Sequence, residues 1–437
     1  MDDFFDQSTR LMHQAAELGK ISTDVVELLS GPGRAISFRI PLKMDDGSNR
    51  VFDAHRVCHT DALGPTRDGT RISPDLNFDE CKALALVMSI KHAAGRIPAG
   101  GGKGGIAADP RKLSNHEFER LCRAYIRYLR PSGPDCDVPG ADVGTDMQSM
   151  AWMLDEYEQI TGHHSPTAVN DKPPILGGTL GGYEATGLGV FDVFQAAAEQ
   201  IDFKLEGARV AIQGFGQVGS VSARAFQEAG CKVIAIREID SGVYAEEGLN
   251  IDELLKHREK EGSLRNFPNT RPITNEELFA CDCDVLVPAA LQGVITKEVA
   301  EQVKAGILVE AANGPTTLEA DELLLNRGVT IVPDVLANAG SVHLCQMERT
   351  QGLSDDYWGS ETISQQRRQR LVNSFQQATE CEKREQRDRR RHEEFHDREA
   401  VAPTGPHGSL PVRIVPVHNA DSACVAPSSR VAVTAIR

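Results

Sequence analysis

This sequence predicts an α/β fold in two domains: an N-terminal α/β substrate domain and a Rossmann-like dinucleotide-binding domain. Three observations lead there. The chain has 437 residues, enough for two separate cores. In its first part, apolar segments at helical spacing alternate with short apolar or glycine-rich runs. Near its middle, "ARVAIQGFGQVGSVSARAFQEAGCKVIAI" reads as strand, glycine turn, helix and strand, the repeating unit of a parallel sheet covered by helices.

The elements follow in chain order. The opening "MDDFFDQSTRLMHQAAELGK" is acidic and amphipathic; it reads as a first helix and not as a signal peptide. In "DECKALALVMSIKHAA", residues 79 to 94, the apolar positions recur with helical period. Asp79 and Glu80 suit its first turn, and Lys91 falls near its C-terminal end. "PAGGGKGGIAADP", residues 98 to 110, then sets Lys103 among five glycines. A phosphate-binding P-loop needs G-x-x-x-x-G-K-[ST]. Here Gly104 follows the lysine and Ile97 stands six positions before it, so both requirements fail. The expectation is a tight, ordered glycine bend presenting Lys103.

"HEFERLCRAYIRYLR" (116–130) is a second amphipathic helix, stopped by Pro131 and Gly133. Turn-rich "PSGPDCDVPGADVGTD" leads to the helix "MQSMAWMLDEYEQI", and "NDKPPILGGTLGGYEATG" is the expected domain boundary. Beyond it, Gly214, Gly216 and Gly219 spell G-x-G-x-x-G directly after a strand, and Glu238 follows the next strand. Alone the motif is weak; in this βαβ setting it predicts a dinucleotide with its pyrophosphate at the helix N-terminus. "CDVLVPAA", "GILVEAAN" and "VTIVPDVLAN" are further strands ending in small or amide residues, where a parallel sheet opens its ligand crevice. The division expected is 1–185 for substrate, 186–344 for the nucleotide, 345–380 as a helical return, and 381–437 as an atypical tail. The tail loses helical periodicity and turns charged, then proline-rich, which suggests disorder or a shifted reading frame.

Composition narrows the function. A net charge of −16 argues against nucleic acid as a partner and suits an acidic enzyme or a protein adapted to high salt. No apolar run reaches membrane-spanning length. The ten cysteines lack zinc spacing, Cys281 and Cys283 read as a strand edge, and no metal site is expected. A reduced, cytoplasmic protein is the expectation.

"LGPTRDGTRISPDLNFDECKALALVMSIKHAAGRIPAGGGKGGIAADP", "DVPGADVGTD" and the later G-x-G-x-x-G together resemble the glutamate/leucine/phenylalanine/valine dehydrogenase family. The likeness runs from about residue 10 to about residue 380, and "GGGKGG" is similar to the form in the glutamate branch. The resemblance implies reversible oxidative deamination of L-glutamate to 2-oxoglutarate and ammonium by a homohexamer with a nicotinamide cofactor. Lys103 then matches the catalytic lysine, whose proton must cycle and whose pKa cationic neighbours would lower. Asp142 matches the catalytic aspartate, a proton shuttle; by itself it would pass for a turn residue. Lys91 matches the lysine on the substrate α-carboxylate, although a cation at a helix C-terminus also opposes the dipole.

For the side-chain carboxylate the family pattern has a lysine and a serine; here Arg67 and Cys345 stand in those places, with Asp68 and Ser341 in place of glycines. Arginine keeps the charge with a different reach, and a thiol is a poor donor. Thr186, Asn313 and Asn338 match positions contacting the nicotinamide or its ribose, while loop amides of this kind also cap turns. Gly182 stands where the family usually has arginine. Glu238 suits a ribose 2′-hydroxyl and hence NAD, whereas adjacent Arg237 would attract the 2′-phosphate of NADP; the expectation leans to NADP, with NAD the alternative. Two rival functions remain: another amino-acid dehydrogenase, or a catalytically weak regulatory partner of an active paralogue, which the departures at Arg67, Asp68, Ser341 and Cys345 favour.

Overall fold

The computed structural model describes residues 4–400. Helices α1 (Phe4–Leu18) and α2 (Thr23–Leu29) precede strands β1 (Arg34–Lys43), β2 (Asn49–Thr60) and β3 (Thr66–Ser73). Then come α3 (Phe78–Ala94), β4 (Gly100–Ala107), α4 (Asn115–Tyr128), β5 (Asp137–Ala141) and α5 (Met147–Thr161). The five strands form one sheet in the order β1-β2-β4-β3-β5. β2 runs antiparallel to β1 and β4, and β3 runs parallel to β4 and β5. Local chemistry sets the helix starts. Asn77 accepts from the Glu80 N–H to open α3, and Ser114 with Glu117 forms a capping box at α4.

The glycine-rich run is a strand and not a bend. β4 is buried between β2 and β3, and its glycines let backbones close on it from three sides. A Cβ at Gly101 would lie 2.2 Å from the Ala85 carbonyl oxygen of α3; at Gly104, 2.4 Å from that of His55; at Gly105, 1.8 Å from that of Arg71. Any side chain there would push α3 or a neighbouring strand off the sheet.

The second sheet follows α6 (Ala185–Gln200) and is built from β6 (Arg209–Gln213), α7 (Gln217–Glu228), β7 (Lys232–Arg237), β8 (Gly242–Tyr244), α8 (Ile251–Glu261), β9 (Arg271–Pro272) and α9 (Asn275–Phe279). It continues through β10 (Val285–Pro288), α10 (Lys297–Ala300), β11 (Ile307–Val309), α11 (Leu318–Asn326) and β12 (Thr330–Val332). The order is β12-β11-β10-β6-β7-β8-β9. Its first five strands are parallel, and β8 and β9 are antiparallel additions. Two apolar layers cover its faces, one around Phe194, Ile212 and Phe226, the other around Leu278, Leu286 and Leu324. Burial on both faces makes these strands continuous apolar runs. Cys281 and Cys283 lie just before β10 and belong to the second layer.

The chain closes with α12 (Asp334–Ala337), α13 (Gly340–Ser354) and α14 (Ser360–Ala400). α13 returns to the first sheet: Arg349 donates to the Pro134 carbonyl at 2.9 Å, and Glu348 pairs with Lys172. Arg367 of α14 grips Asp192 of α6 at 2.7 Å. The helix continues to Ala400, past the point near 381 where apolar periodicity stops; the rest of the expected tail, 401–437, lies outside the described residues. Among the described residues no helix is long and apolar enough to cross a membrane, and no cluster of three or more His, Cys, Asp or Glu is placed to hold a metal.

Candidate active site

Lys103 points from the middle of β4 toward the residue just past the end of β5. Its Nζ lies 2.5 Å from Asp142 Oδ2 and 2.8 Å from Asp68 Oδ2, and the side chain is almost fully buried. Gly69 makes room for this meeting, since a Cβ there would sit 2.6 Å from that of Asp142 and 3.0 Å from Lys103 Nζ. Arg71, two residues further along β3, approaches Asp142 at 3.4 Å and pairs with Glu80 at 2.5 Å. Burial alone would make the Asp142 carboxyl harder to ionise, but Lys103 and Arg71 outweigh it and hold the group down at about 2.

Lys103 departs from the sequence-based expectation of a lowered pKa. Burial pulls its ammonium down and Arg71 adds to that, yet Asp142 and Asp68 together raise it above the ordinary lysine value. The arrangement keeps Lys103 charged. The second carboxylate, Asp68, is what sequence reading did not connect to the lysine.

Lys91 spans the two sheets' domains. Its ammonium donates to Asn313 Oδ1 at 2.6 Å and Asn338 Oδ1 at 2.5 Å, and Asn338 Nδ2 donates to Asn313 Oδ1 at 3.0 Å. The three candidates are therefore one cluster, with the two amides turned to the lysine. Burial lowers the Lys91 pKa, which makes the ammonium receptive to an anion.

Among the described residues, Arg67, in β3, is buried with a single side-chain hydrogen bond, from Nη1 to Gln346 Oε1 of α13 at 2.7 Å, and its Nε has no partner. Burial and then Arg349 pull its pKa down to about 10. A buried guanidinium with no carboxylate against it is a site for one. Cys345 reaches Asp171 Oδ1 at 3.5 Å, and burial pushes its thiol well up, so it is a neutral neighbour of this site. Thr186 is the second residue of α6, and no hydrogen bond fixes its side chain in a ligand-facing role. Gly182 sits in an exposed loop with nothing near its missing Cβ; the structure gives no reason for the departure from arginine.

The three glycines of the nucleotide motif divide their work. Gly214 has φ +98, and a Cβ would meet the Ala289 carbonyl oxygen at 2.8 Å; at Gly219 it would meet that of Gly214 at 2.0 Å. Gly216 is the N-cap of α7, with open space around its missing Cβ and no side-chain cap. That leaves unpaired N–H groups of a helix N-terminus free for an anion, at the point where the sheet order turns from β6 to β10. These residues fit a dinucleotide.

Glu238 follows β7, with Oε1 3.1 Å from Arg258 Nη1 of α8. Arg258 also donates to the Phe215 carbonyl inside the glycine turn. Arg237, on which the NADP expectation rested, is engaged with the turn itself: its guanidinium donates to the backbone carbonyls of Glu238 and Ser241, the latter at 2.7 Å.

Comparison with known proteins decides the family. The model described as Glutamate/Leucine/Phenylalanine/Valine dehydrogenase matches residues 177–403, and that of the Glu/Leu/Phe/Val dehydrogenase dimerisation domain matches 32–159. The chain belongs to the Glu/Leu/Phe/Val dehydrogenase family. It is 45% identical over 354 residues to the catabolic NAD-specific glutamate dehydrogenase RocG of Bacillus subtilis, covering 81% of this chain and 83% of that one. It is 44% identical over 351 residues to an NAD-specific glutamate dehydrogenase of Staphylococcus aureus (strain COL), covering 80% and 84%. Among solved structures, the hetero-hexameric glutamate dehydrogenase of Thermus thermophilus in its leucine-bound form superimposes with a TM-score of 0.84 at 35% identity, covering 88% of this chain and 92% of that one.

Among the residues picked out by sequence, the structure joins Lys103 to Asp142 and Asp68 and Lys91 to Asn313 and Asn338, and four contributors were missed. Arg71 stands four residues after Arg67 on the same strand, so the alternation of strand faces carried its signal. Gly69, Gln346 and Arg258 carried none, because their roles depend on close approach or on partners distant in the chain.

Proposed function

We propose that this chain catalyses the reversible oxidative deamination of L-glutamate, with water and NAD, to 2-oxoglutarate, ammonium and NADH with release of a proton. One observation carries the reading: beside the buried pair Lys103–Asp142 at 2.5 Å, the chain buries two further cations, Arg67, held at one end by Gln346, and Lys91, bridging to Asn313 and Asn338. Two separated cations suit a substrate with two carboxylates. Arg67 receives the side-chain carboxylate, and Lys91 offers its ammonium to the α-carboxylate in place of an amide oxygen. NAD supplies the acceptor for the Cα hydride. Lys103, once it has released its proton, takes one from the water attacking the iminium carbon, and Asp142 carries protons to and from the amino nitrogen. Burial of both groups excludes bulk water from these transfers.

NAD is favoured over NADP. The Glu238 carboxylate at the end of β7 would repel a 2′-phosphate, Arg237 is occupied with backbone carbonyls, and the relatives named above are NAD-specific. The same reading assigns 1–185 to substrate and 186–344 to nucleotide, with 345–380 returning to the first, and assembles the chain as a homohexamer, as the family resemblance implies. A catalytically weak partner subunit is the second reading, favoured by the Asp68–Lys103 contact at 2.8 Å. Assaying the purified chain alone, with glutamate, leucine, valine and phenylalanine crossed against NAD and NADP, separates them. Glutamate with NAD is expected to give the highest kcat/KM; preference for an apolar amino acid, or no turnover at all, overturns the proposal.

A further inference from the structure

Asp68 has no part in the chemistry just described, yet its carboxylate sits at the centre of the site. The backbone is shaped to deliver it there. Asp68 adopts φ +132, a conformation that favours glycine. Pairing between β3 and β4 passes from Arg67↔Gly101 to Thr70↔Gly104 and skips residues 68 and 69. Arg56, fully buried, donates from Nη1 to the Asp68 carbonyl at 3.0 Å and the Gly69 carbonyl at 3.3 Å. Arg56 is itself fixed by Asp137, at 2.9 Å from Nε and 2.7 Å from Nη2. A strained conformation held from beneath by a buried, paired arginine is a maintained position.

The groups facing Lys103 come from two elements and the end of a third. Asp68 and Arg71 reach it from β3, Asp142 from the end of β5, and Lys91 and Cys81 from α3. Glu80 lies one contact further out, on Arg71. Among the described residues, the lysine meets two carboxylates and no cation within direct contact. A lysine that must become neutral to accept a proton from water is therefore held in the wrong state by the nearer of its neighbours.

We propose that Asp68 is a positioning residue whose carboxylate clamps the Lys103 ammonium and so moves oxidative deamination to higher pH. For the reaction it acts on, this rests on the reading under Proposed function; the clamp itself does not. Removing the Asp68 charge leaves Asp142 as the sole carboxylate on Lys103, and the lysine then loses its proton at lower pH. In the reverse direction, where a charged Lys103 gives up its proton, the alkaline limb moves down by the same amount.

Asp68→Asn keeps the shape without the charge, and Asp68→Gly suits the φ at this position, so both variants retain the local fold. Two pH profiles are measured on wild type and both variants: kcat/KM for glutamate oxidation, and reductive methylation of Lys103 by formaldehyde and borohydride, read by mass spectrometry of its peptide. The acidic limb of the first and the midpoint of the second are expected to fall by about one unit or more in both variants. Unchanged labelling midpoints overturn the clamp. A wild type that never turns over glutamate, but whose Lys103 labelling midpoint still falls in the variants, refutes the glutamate reading and leaves the clamp standing.

Discussion

Arg67 and Glu238 carry the specificity of the account at the scale of single side chains. Arg67 is buried with one hydrogen bond and an unpartnered Nε, so removing it empties a charged subsite without breaking an ion pair. Arg67→Ala should therefore raise the KM for glutamate about tenfold or more while lowering kcat less, the pattern of lost ground-state binding. Steady-state kinetics check this, and a fall in kcat with unchanged KM would contradict it. At the nucleotide edge, Arg237→Ala loosens the turn after β7 through its lost carbonyl contacts and should weaken NAD and NADP alike. Glu238→Ser should instead improve NADP selectively by removing the repelling charge. Calorimetric titration of both coenzymes distinguishes the two, and a loss confined to NADP in Arg237→Ala would restore the NADP expectation.

β4 is the element where sequence and structure part most clearly, and the reason is physical. Glycine is a poor strand former, so a run of five suggests a bend when only local preference is weighed. What decides the conformation is the approach of α3, β2 and Arg71 to within contact of the missing side chains, which no local pattern carries. Helices α3 and α4 were legible because apolar period agrees with acidic first-turn residues in the one and with proline and glycine stops in the other. The glycine motif at α7 was legible because its strand and helix flank it directly. The difference between the two kinds of glycine is testable. Gly101→Ala would place a Cβ 2.2 Å from a backbone oxygen and should cost ~1–3 kcal/mol of stability. Gly216→Ala meets open space and should change stability by less than about 0.5 kcal/mol while weakening NAD. Denaturant unfolding of both variants, beside NAD titration, gives the comparison.

Across the whole molecule, the proposed function calls on residues far apart in sequence that meet between two sheets. Lys91, Asn313 and Asn338 were each singled out through family likeness, but their joining into one cross-domain cluster was not legible. Asp68 was visible only as a departure from glycine; its seat on Lys103 needed the backbone conformation and the support of Arg56. The nucleotide domain also carries a buried carboxyl at the end of β11. Burial and then Asp334 raise Glu310 to about 8. Its folded pKa thus lies above the unfolded value, so between about pH 4.5 and about pH 8 the folded state binds more protons and this group's contribution to stability falls as pH rises. Glu310→Gln should remove that slope, making the variant more stable relative to wild type at about pH 8 than at about pH 5. Denaturant midpoints at the two pH values test the sign; a stability difference that does not change with pH would contradict it.

If Lys103, paired with Asp142, performs proton transfer in glutamate deamination while the nucleotide binds elsewhere in the chain, Lys103→Ala separates the two. Calorimetry follows NAD binding and absorbance follows glutamate-dependent NADH formation. NAD affinity is expected to stay close to that of wild type and turnover to fall on the order of 10²-fold or more; NADH formation at the wild-type rate would rule out this role for Lys103.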